Sequence, residues 1–109
     1  MFPVIINQAG PLPIKVTVDW PSSGAVMVAV SGSAWTQSPN TTLAVQVSVH
    51  ATTLGTMQQV ANPAGTHLAF PTAFFSVNGE IGSTTFTLTA ANATTVTDQN
   101  DHFTVALIY

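Results

Sequence analysis

The sequence predicts an all-β fold, namely a two-sheet antiparallel β-sandwich of about eight strands. Apolar and polar residues alternate along most of the chain with a period of two, which is the spacing of side chains on the two faces of a strand. Val, Ile and Thr are abundant, and branching at Cβ favours strands over helices. No segment keeps a helical period over three turns. A length of 109 residues predicts one domain that covers residues 1–109.

The first two predicted strands lie on either side of a proline-rich turn. Residues 2–7 form an apolar first strand, and the two prolines in residues 9–13 end it because they lack the backbone donors that pairing requires. Residues 14–20 alternate strictly and predict a half-buried second strand. The turn residues at 21–24 end that strand.

The third segment, residues 25–35, is apolar at both sets of alternating positions. This pattern predicts a central strand that is covered by the core on one side and by a neighbouring subunit on the other. A turn at Pro39 and Asn40 follows. Residues 43–50 then alternate almost without interruption and predict the fourth strand.

Proline and glycine divide the next part of the chain. Residues 54–60 predict a strand in which Gly55 marks a bulge, and turn residues at 62–65 end it. The aromatic segment 67–77 has Pro71 at its centre, which predicts an edge strand or two short strands joined at the proline.

The C-terminal part contains two strong strands, at residues 84–91 and 103–109, separated by a polar loop at 92–101. Asn78 and Gly79 form a strong turn signal before them. The resulting count of about eight strands is that of a jelly roll. An immunoglobulin-like sandwich is the alternative architecture.

Charged side chains are rare in this chain. Lys15 is the only basic residue, arginine is absent, and charged residues make up 5% of the sequence. A typical domain has about a quarter charged residues, so this surface consists mainly of Thr, Ser, Asn, Gln and Ala. One lysine cannot neutralise several phosphates, which excludes nucleic-acid binding and attraction to anionic membranes.

The sequence is also rich in apolar residues, at 46%, but no apolar run approaches the roughly 20 residues of a membrane-spanning helix. Residues 1–6 lack the basic start of a signal peptide and are predicted to be a strand. Because large apolar patches are rare on monomers, we expect the chain to associate with copies of itself. The absence of cysteine does not fix the compartment, so the localisation stays open.

Two C-terminal segments carry a resemblance to a known superfamily. They are residues 101–109, Asp-His-Phe-Thr-Val-Ala-Leu-Ile-Tyr, and residues 82–88, Gly-Ser-Thr-Thr-Phe-Thr-Leu. The first segment resembles the last strand of the tumour necrosis factor and complement globular-head superfamily, where an aromatic residue opens an apolar strand that ends the domain. The second segment is similar in placement to the penultimate strand of that superfamily. The resemblance implies a jelly roll that assembles as a compact trimer around the apolar residues of one sheet. Sugar-binding members bind between protomers and often use arginine, which this chain lacks.

The candidate ligand-binding residues are Trp20, Trp35 and Tyr109. Their rings could stack on sugar rings while nearby amide and hydroxyl groups bind the sugar hydroxyls. The alternative is that these aromatic residues lie in the core or in an interface, as strand aromatics usually do.

The candidate metal ligands are Asp98, Asn100 and Asp101, whose oxygens suit Ca²⁺. The preferred alternative is that they bond to backbone groups of their own turn. The three histidines, His50, His67 and His102, lack the spacing of a zinc motif. No nucleophile elbow or cleft carboxylate pair is recognisable, so the sequence predicts neither an enzyme nor a cofactor.

The preferred interpretation is a non-enzymatic, homotrimeric binding module with carbohydrate as the ligand, bound at the subunit boundaries. Several weak sites on one trimer would then act together. The alternative is a structural or assembly protein of a larger particle or appendage that has no small-molecule ligand. Both interpretations predict an oligomer.

Overall fold

The computed structural model describes residues 3–21, 24–79 and 82–109. These residues form ten β-strands and no helix. None of them therefore belongs to a helix long and apolar enough to cross a membrane. The strands are β1 (Val4–Ala9), β2 (Ile14–Asp19), β3 (Gly24–Ser31), β4 (Ser33–Ala34), β5 (Thr41–Val49), β6 (Thr52–Ala61), β7 (Leu68–Ala69), β8 (Ala73–Gly79), β9 (Ser83–Ala90) and β10 (His102–Ile108). The predictions for Phe2, Ser22 and Ser23 lie outside the described residues.

Eight longer strands form two four-stranded antiparallel sheets, which confirms the predicted β-sandwich. The first sheet has the order β1-β10-β3-β8 and the second sheet has the order β2-β9-β5-β6, while β4 pairs with β7 separately. The pairing is nested, because β1 pairs with β10, β2 with β9, β3 with β8 and β5 with β6. The chain is thus one long hairpin rolled into a sandwich, an arrangement compatible with the predicted jelly-roll type.

The core lies between the two sheets and is built from the inward set of alternating residues. In β3 the valines at positions 26, 28 and 30 are buried, and in β9 Phe86 and Leu88 are buried. Burying side chains of this size stabilises the fold by roughly 1.5–3 kcal/mol each. The alternating pattern therefore determines which face of each strand turns inward.

Two predicted breaks in the strands are confirmed. The pairing of β5 with β6 shifts register between Val47 and Ser48, so that Leu54, next to the predicted bulge residue Gly55, is left out of the ladder. The proline-containing segment 67–77 divides into β7 and β8, with Pro71 between them.

Two other details differ from the sequence-based prediction. The segment 25–35 is not one strand, since β3 ends at Ser31 and Gly32 follows. A Cβ on Gly32 would lie 2.3 Å from the Phe103 ring, so only glycine allows this close approach. Asn78 and Gly79 do not form a turn, because both pair with the start of β3. Sheet pairing overrides their local preference.

The long connections of the sandwich meet at one end, which we call the loop end. It consists of residues 10–13, 32–40, 62–72 and 91–101. Backbone hydrogen bonds join these segments, including Gly10 N to Asp101 O at 2.7 Å and Phe70 N to Gly32 O at 2.9 Å. Trp35 and Val96 exchange two such bonds. The loop end is therefore a packed structure in which distant parts of the sequence come together.

Candidate functional site

A cluster of polar side chains lies at the loop end, and we call it the loop-end cluster. Its members are Ser33, Trp35, His67, Asp98 and Asp101. They come from three connections that are far apart in sequence. The antiparallel nesting of the strands brings these connections to the same end of the sandwich, which is why the cluster cannot be seen as a local motif.

Asp101 is the buried centre of the loop-end cluster. It is 0% exposed, although it carries a carboxylate. Its Oδ1 accepts a hydrogen bond from Ser33 Oγ at 2.7 Å and is 2.8 Å from His67 Nδ1, and its Oδ2 accepts one from the backbone N–H of Asp98 at 2.9 Å. Three donors therefore offset the cost of burying this charge.

His67 lies between the two carboxylates of the cluster. Its Nδ1 faces Asp101, and its Nε2 is 3.8 Å from Asp98 Oδ2. The hydrogen bond to Asp101 raises the pKa of His67 above its ordinary value of 6.5. Partial burial opposes this shift, and the negative charges of Asp101 and Asp98 add to it.

Asp98 is half-exposed, and its two oxygens have separate partners. Oδ1 accepts a hydrogen bond from the backbone N–H of Asn100 at 2.8 Å, which is an Asx turn. Oδ2 accepts one from Trp35 Nε1 at 3.1 Å. For Asp98, Asn100 and Asp101 the structure thus shows the turn bonding of the alternative, since the backbone N–H of Asn100 donates to Asp98 and the backbone N–H of Asp98 donates to Asp101.

Ser33, His67 and Asp101 include the residue types of a nucleophilic triad, but their geometry differs from one. In a triad the hydroxyl bonds to the imidazole, which removes its proton. Here Ser33 Oγ and His67 Nδ1 both contact the same oxygen of Asp101. The described contacts therefore give His67 no path to activate Ser33.

The three predicted ligand-binding aromatics do not form one site. Trp35 is half-buried in the loop-end cluster, with its ring 5.9 Å from the His67 ring. Trp20 is 2% exposed and stacks on Phe86 with the ring centroids 5.7 Å apart, so it packs in the core. Tyr109 is 51% exposed and follows β10 at the end opposite the loop end.

A cleft also lies at that opposite end, away from the loop-end cluster. It has a volume of about 720 Å³, and its described lining includes Trp20, His50 and Thr84. The described lining holds no Asp, Glu, Lys or Arg. The lining residues Gly24, Gly79 and Gly82 are sequence neighbours of residues 22–23 and 80–81, which lie outside the described residues.

The outer face of the first sheet has an apolar centre, and we call this outer face the apolar face. Polar residues flank the centre, with Asn7, Thr104 and Ser31 in the row on one side and Ser76 paired with Met27 on the other. One row crosses all four strands, because Val4 pairs with Ala106, Ala106 with Ala29, and Ala29 with Phe74. Val4 and Phe74 are 55% and 60% exposed. The adjacent row contains Met27, and the four strands hold no Asp, Glu, Lys or Arg.

The outer face of the second sheet carries hydroxyl and amide groups, and we call it the hydroxyl face. On β9 the outward residues include Thr85, Thr87 and Thr89, which alternate with buried Phe86 and Leu88. The Oγ1 atoms of Thr85 and Thr17 are 3.0 Å apart. Further outward hydroxyl and amide side chains of this face are Gln46, Ser48, Thr53, Thr56 and Gln58. The hydroxyl face also carries Lys15 opposite Thr87 and Asp19 opposite Ser83, so it differs from the apolar centre of the other face in both polarity and charge.

Comparison with known proteins gives no relative from which a function follows. No protein-family model matches the sequence, and no curated protein matches it either. The functional argument therefore depends on the geometry described above.

Proposed function

We propose that this chain is a non-enzymatic module that assembles with copies of itself through the apolar face, as a structural component of a larger assembly. The observation that carries the proposal is the row from Val4 across Ala106 and Ala29 to Phe74. An apolar row across a whole sheet face leaves water in contact with side chains that gain free energy when they are covered.

The lack of charge on the apolar face supports self-association in particular. Two copies can pack the same face against each other without burying an unpaired charge, which would cost several kcal/mol. Small side chains at Ala29 and Ala106 in the middle of the face allow a partner to approach closely. We propose the trimer that the resemblance implies, with the apolar face turned toward the three-fold axis.

A charge placed on the apolar face tests the proposal. Ala29→Glu introduces a carboxylate at the centre of the row, and we expect it to weaken association at least 100-fold in sedimentation velocity. The matched control is Thr87→Glu, which places the same charge at the centre of the hydroxyl face and should leave the mass unchanged. Equal masses for wild type and Ala29→Glu, with both folded, would contradict the proposal.

A second candidate function is carbohydrate binding by the assembled protein. It is favoured by Trp35, whose half-buried ring lies beside the carboxylate of Asp98, and by the hydroxyl and amide groups of the hydroxyl face. Aromatic rings and neutral polar groups are the side chains that sugars contact. In a glycan array we expect Trp35→Ala to lose binding and Trp35→Phe, which keeps an aromatic ring, to retain part of it. Failure of the wild type to bind any glycan would exclude this candidate.

A further inference from the structure

We infer that the loop-end cluster binds one divalent transition-metal ion between His67 Nε2 and Asp98 Oδ2. This inference goes beyond the proposed function and does not depend on it. One ligand atom from each of His67, Asp98 and Asp101 can be chosen so that all three lie within 4.8 Å of one another. Of these residues, the sequence-based calcium hypothesis included the two acids and missed the histidine.

The first argument concerns the position of the imidazole proton. Asp101 is fully buried, and its Oδ1 is 2.8 Å from His67 Nδ1. An ionised carboxylate only accepts hydrogen bonds, so Nδ1 carries the proton in the neutral ring. The lone pair is then on Nε2, which faces Asp98. Histidines that bind metals commonly have this arrangement, in which the second nitrogen donates to a carboxylate and thereby fixes the ring orientation.

The second argument concerns the distance between the two proposed ligand atoms. Nε2 and Oδ2 are 3.8 Å apart, which is too long for a hydrogen bond. Zinc binds nitrogen and carboxylate oxygen at about 2.0–2.2 Å, so two ligands of one ion are about 3.4 Å apart at a tetrahedral angle and at most about 4.4 Å apart. The observed separation lies in this range. An ion between the two atoms therefore needs only small side-chain adjustments.

The third argument concerns preorganisation and access. Trp35 Nε1 and the Asn100 backbone N–H hold the Asp98 carboxylate in place, while Asp101 holds His67. The side chains of His67 and Asp98 nevertheless remain 33% and 41% exposed. An ion can therefore reach the site from solvent, and water can complete its coordination.

The ligand chemistry selects the class of metal. One imidazole with a carboxylate suits Zn²⁺, Cu²⁺, Ni²⁺ and Co²⁺, whereas Ca²⁺ requires six to eight oxygen ligands. The Asp101 oxygens already accept hydrogen bonds from three donors, so the cluster cannot offer Ca²⁺ enough oxygens. We therefore expect the site to prefer Zn²⁺ over Ca²⁺.

Titration of metal-free protein without a histidine tag tests the inference. Isothermal titration with Zn²⁺ should give one ion per chain, and Ca²⁺ should give no comparable binding. We expect His67→Gln and Asp98→Asn each to weaken Zn²⁺ binding at least tenfold. The matched control is His102→Gln, which removes an exposed histidine of β10 outside the cluster and should leave the affinity unchanged. Binding by His67→Gln equal to wild type would mean that only adventitious sites exist.

A second measurement on the wild type keeps the test valid if a variant fails to fold. Nitrogen-15 spectra of the histidine rings should show His67 protonated at Nδ1 in the neutral metal-free protein, and Zn²⁺ should shift the Nε2 resonance of His67. A neutral His67 ring that carries its proton on Nε2, or a Zn²⁺-induced shift confined to His50 or His102, would overturn the inference.

Discussion

The two outer faces of the sandwich are each built by four alternating strands, yet the centre of one face is apolar and the centre of the other is polar. On β3 the outward residues include Met27 and Ala29, whereas on β9 they are threonines such as Thr87. Both strands place Val or Phe and Leu side chains on the inward face. The inward positions are therefore equivalent in the two sheets, and only the outward positions distinguish them.

This difference shows that folding of the monomer constrains the inward residues of a strand more strongly than the outward residues. An inward residue must be apolar because it packs between the sheets, but an outward residue on a solvated sheet face is normally polar. The hydroxyl face follows that rule, and the central row of the apolar face does not. An apolar outward set is not needed to hold the monomer together, which is why we assign it to assembly.

The largest expected effect is on the free energy of unfolding, and it compares an inward with an outward residue of the same strand. Phe86 is 0% exposed and stacks on Trp20, so Phe86→Ala should lower the free energy of unfolding by about 3–5 kcal/mol. Thr87→Ala, one residue further along β9 on the hydroxyl face, should change it by less than about 0.5 kcal/mol. Urea denaturation measures both. A large loss in Thr87→Ala would show that the hydroxyl face is needed for folding, contrary to the comparison above.

A smaller effect is expected on the strength of self-association. It is measured by truncating one exposed apolar residue on each outer face. Phe74 is 60% exposed on the apolar face, and Val60 is 61% exposed on β6 of the second sheet. We expect Phe74→Ala to weaken association by about 1–2 kcal/mol, as truncation of a large aromatic at an interface does. Val60→Ala should leave association unchanged. A dilution series in the analytical ultracentrifuge measures both, and equal effects would remove the distinction between the faces.

The smallest expected effect is on the pH dependence of stability, and it arises from His67 at the loop end. The folded-state pKa of His67 is raised, so its contribution to stability is fully present below about pH 6.5 and is lost as the pH rises through the raised value. His67→Gln should therefore be destabilising at acidic pH, by less than about 1 kcal/mol because the side chain is partly exposed.

This difference between wild type and His67→Gln should shrink at alkaline pH. Urea denaturation in the presence of a chelator, at about pH 5.5 and about pH 9, measures it without any contribution from a bound metal. A stability difference that grows as the pH rises would contradict the proposed electrostatic role of His67.

Much of the fold could be predicted from the sequence because alternation directly reports which side of a strand is buried. The long strands, the sandwich, the split at Pro71 and the bulge near Gly55 all follow from such local signals. The errors arise where a distant contact overrides a local preference. Asn78 and Gly79 pair with β3 instead of forming a turn, and Phe103 determines the break at Gly32.

The candidate site was less predictable, since its members approach one another only in the folded chain. Asp98 and Asp101 are close in sequence and were recognised, but His67 lies 34 positions from Asp101 and carries no local signal. In the sequence, the apolar outward set of residues 25–35 is the clearest indication of the self-association that we propose. It predicted a covered outer face, and the structure places Met27 and Ala29 on the apolar face.

The most direct test of self-association through the apolar face is the solution mass of the wild-type chain, measured by light scattering after size exclusion over a range of concentrations. We expect a mass near three chains that falls toward one chain on dilution or on introduction of Ala29→Glu. A single-chain mass at every concentration would contradict the proposal and leave the apolar face of the first sheet without the role that we assign to it.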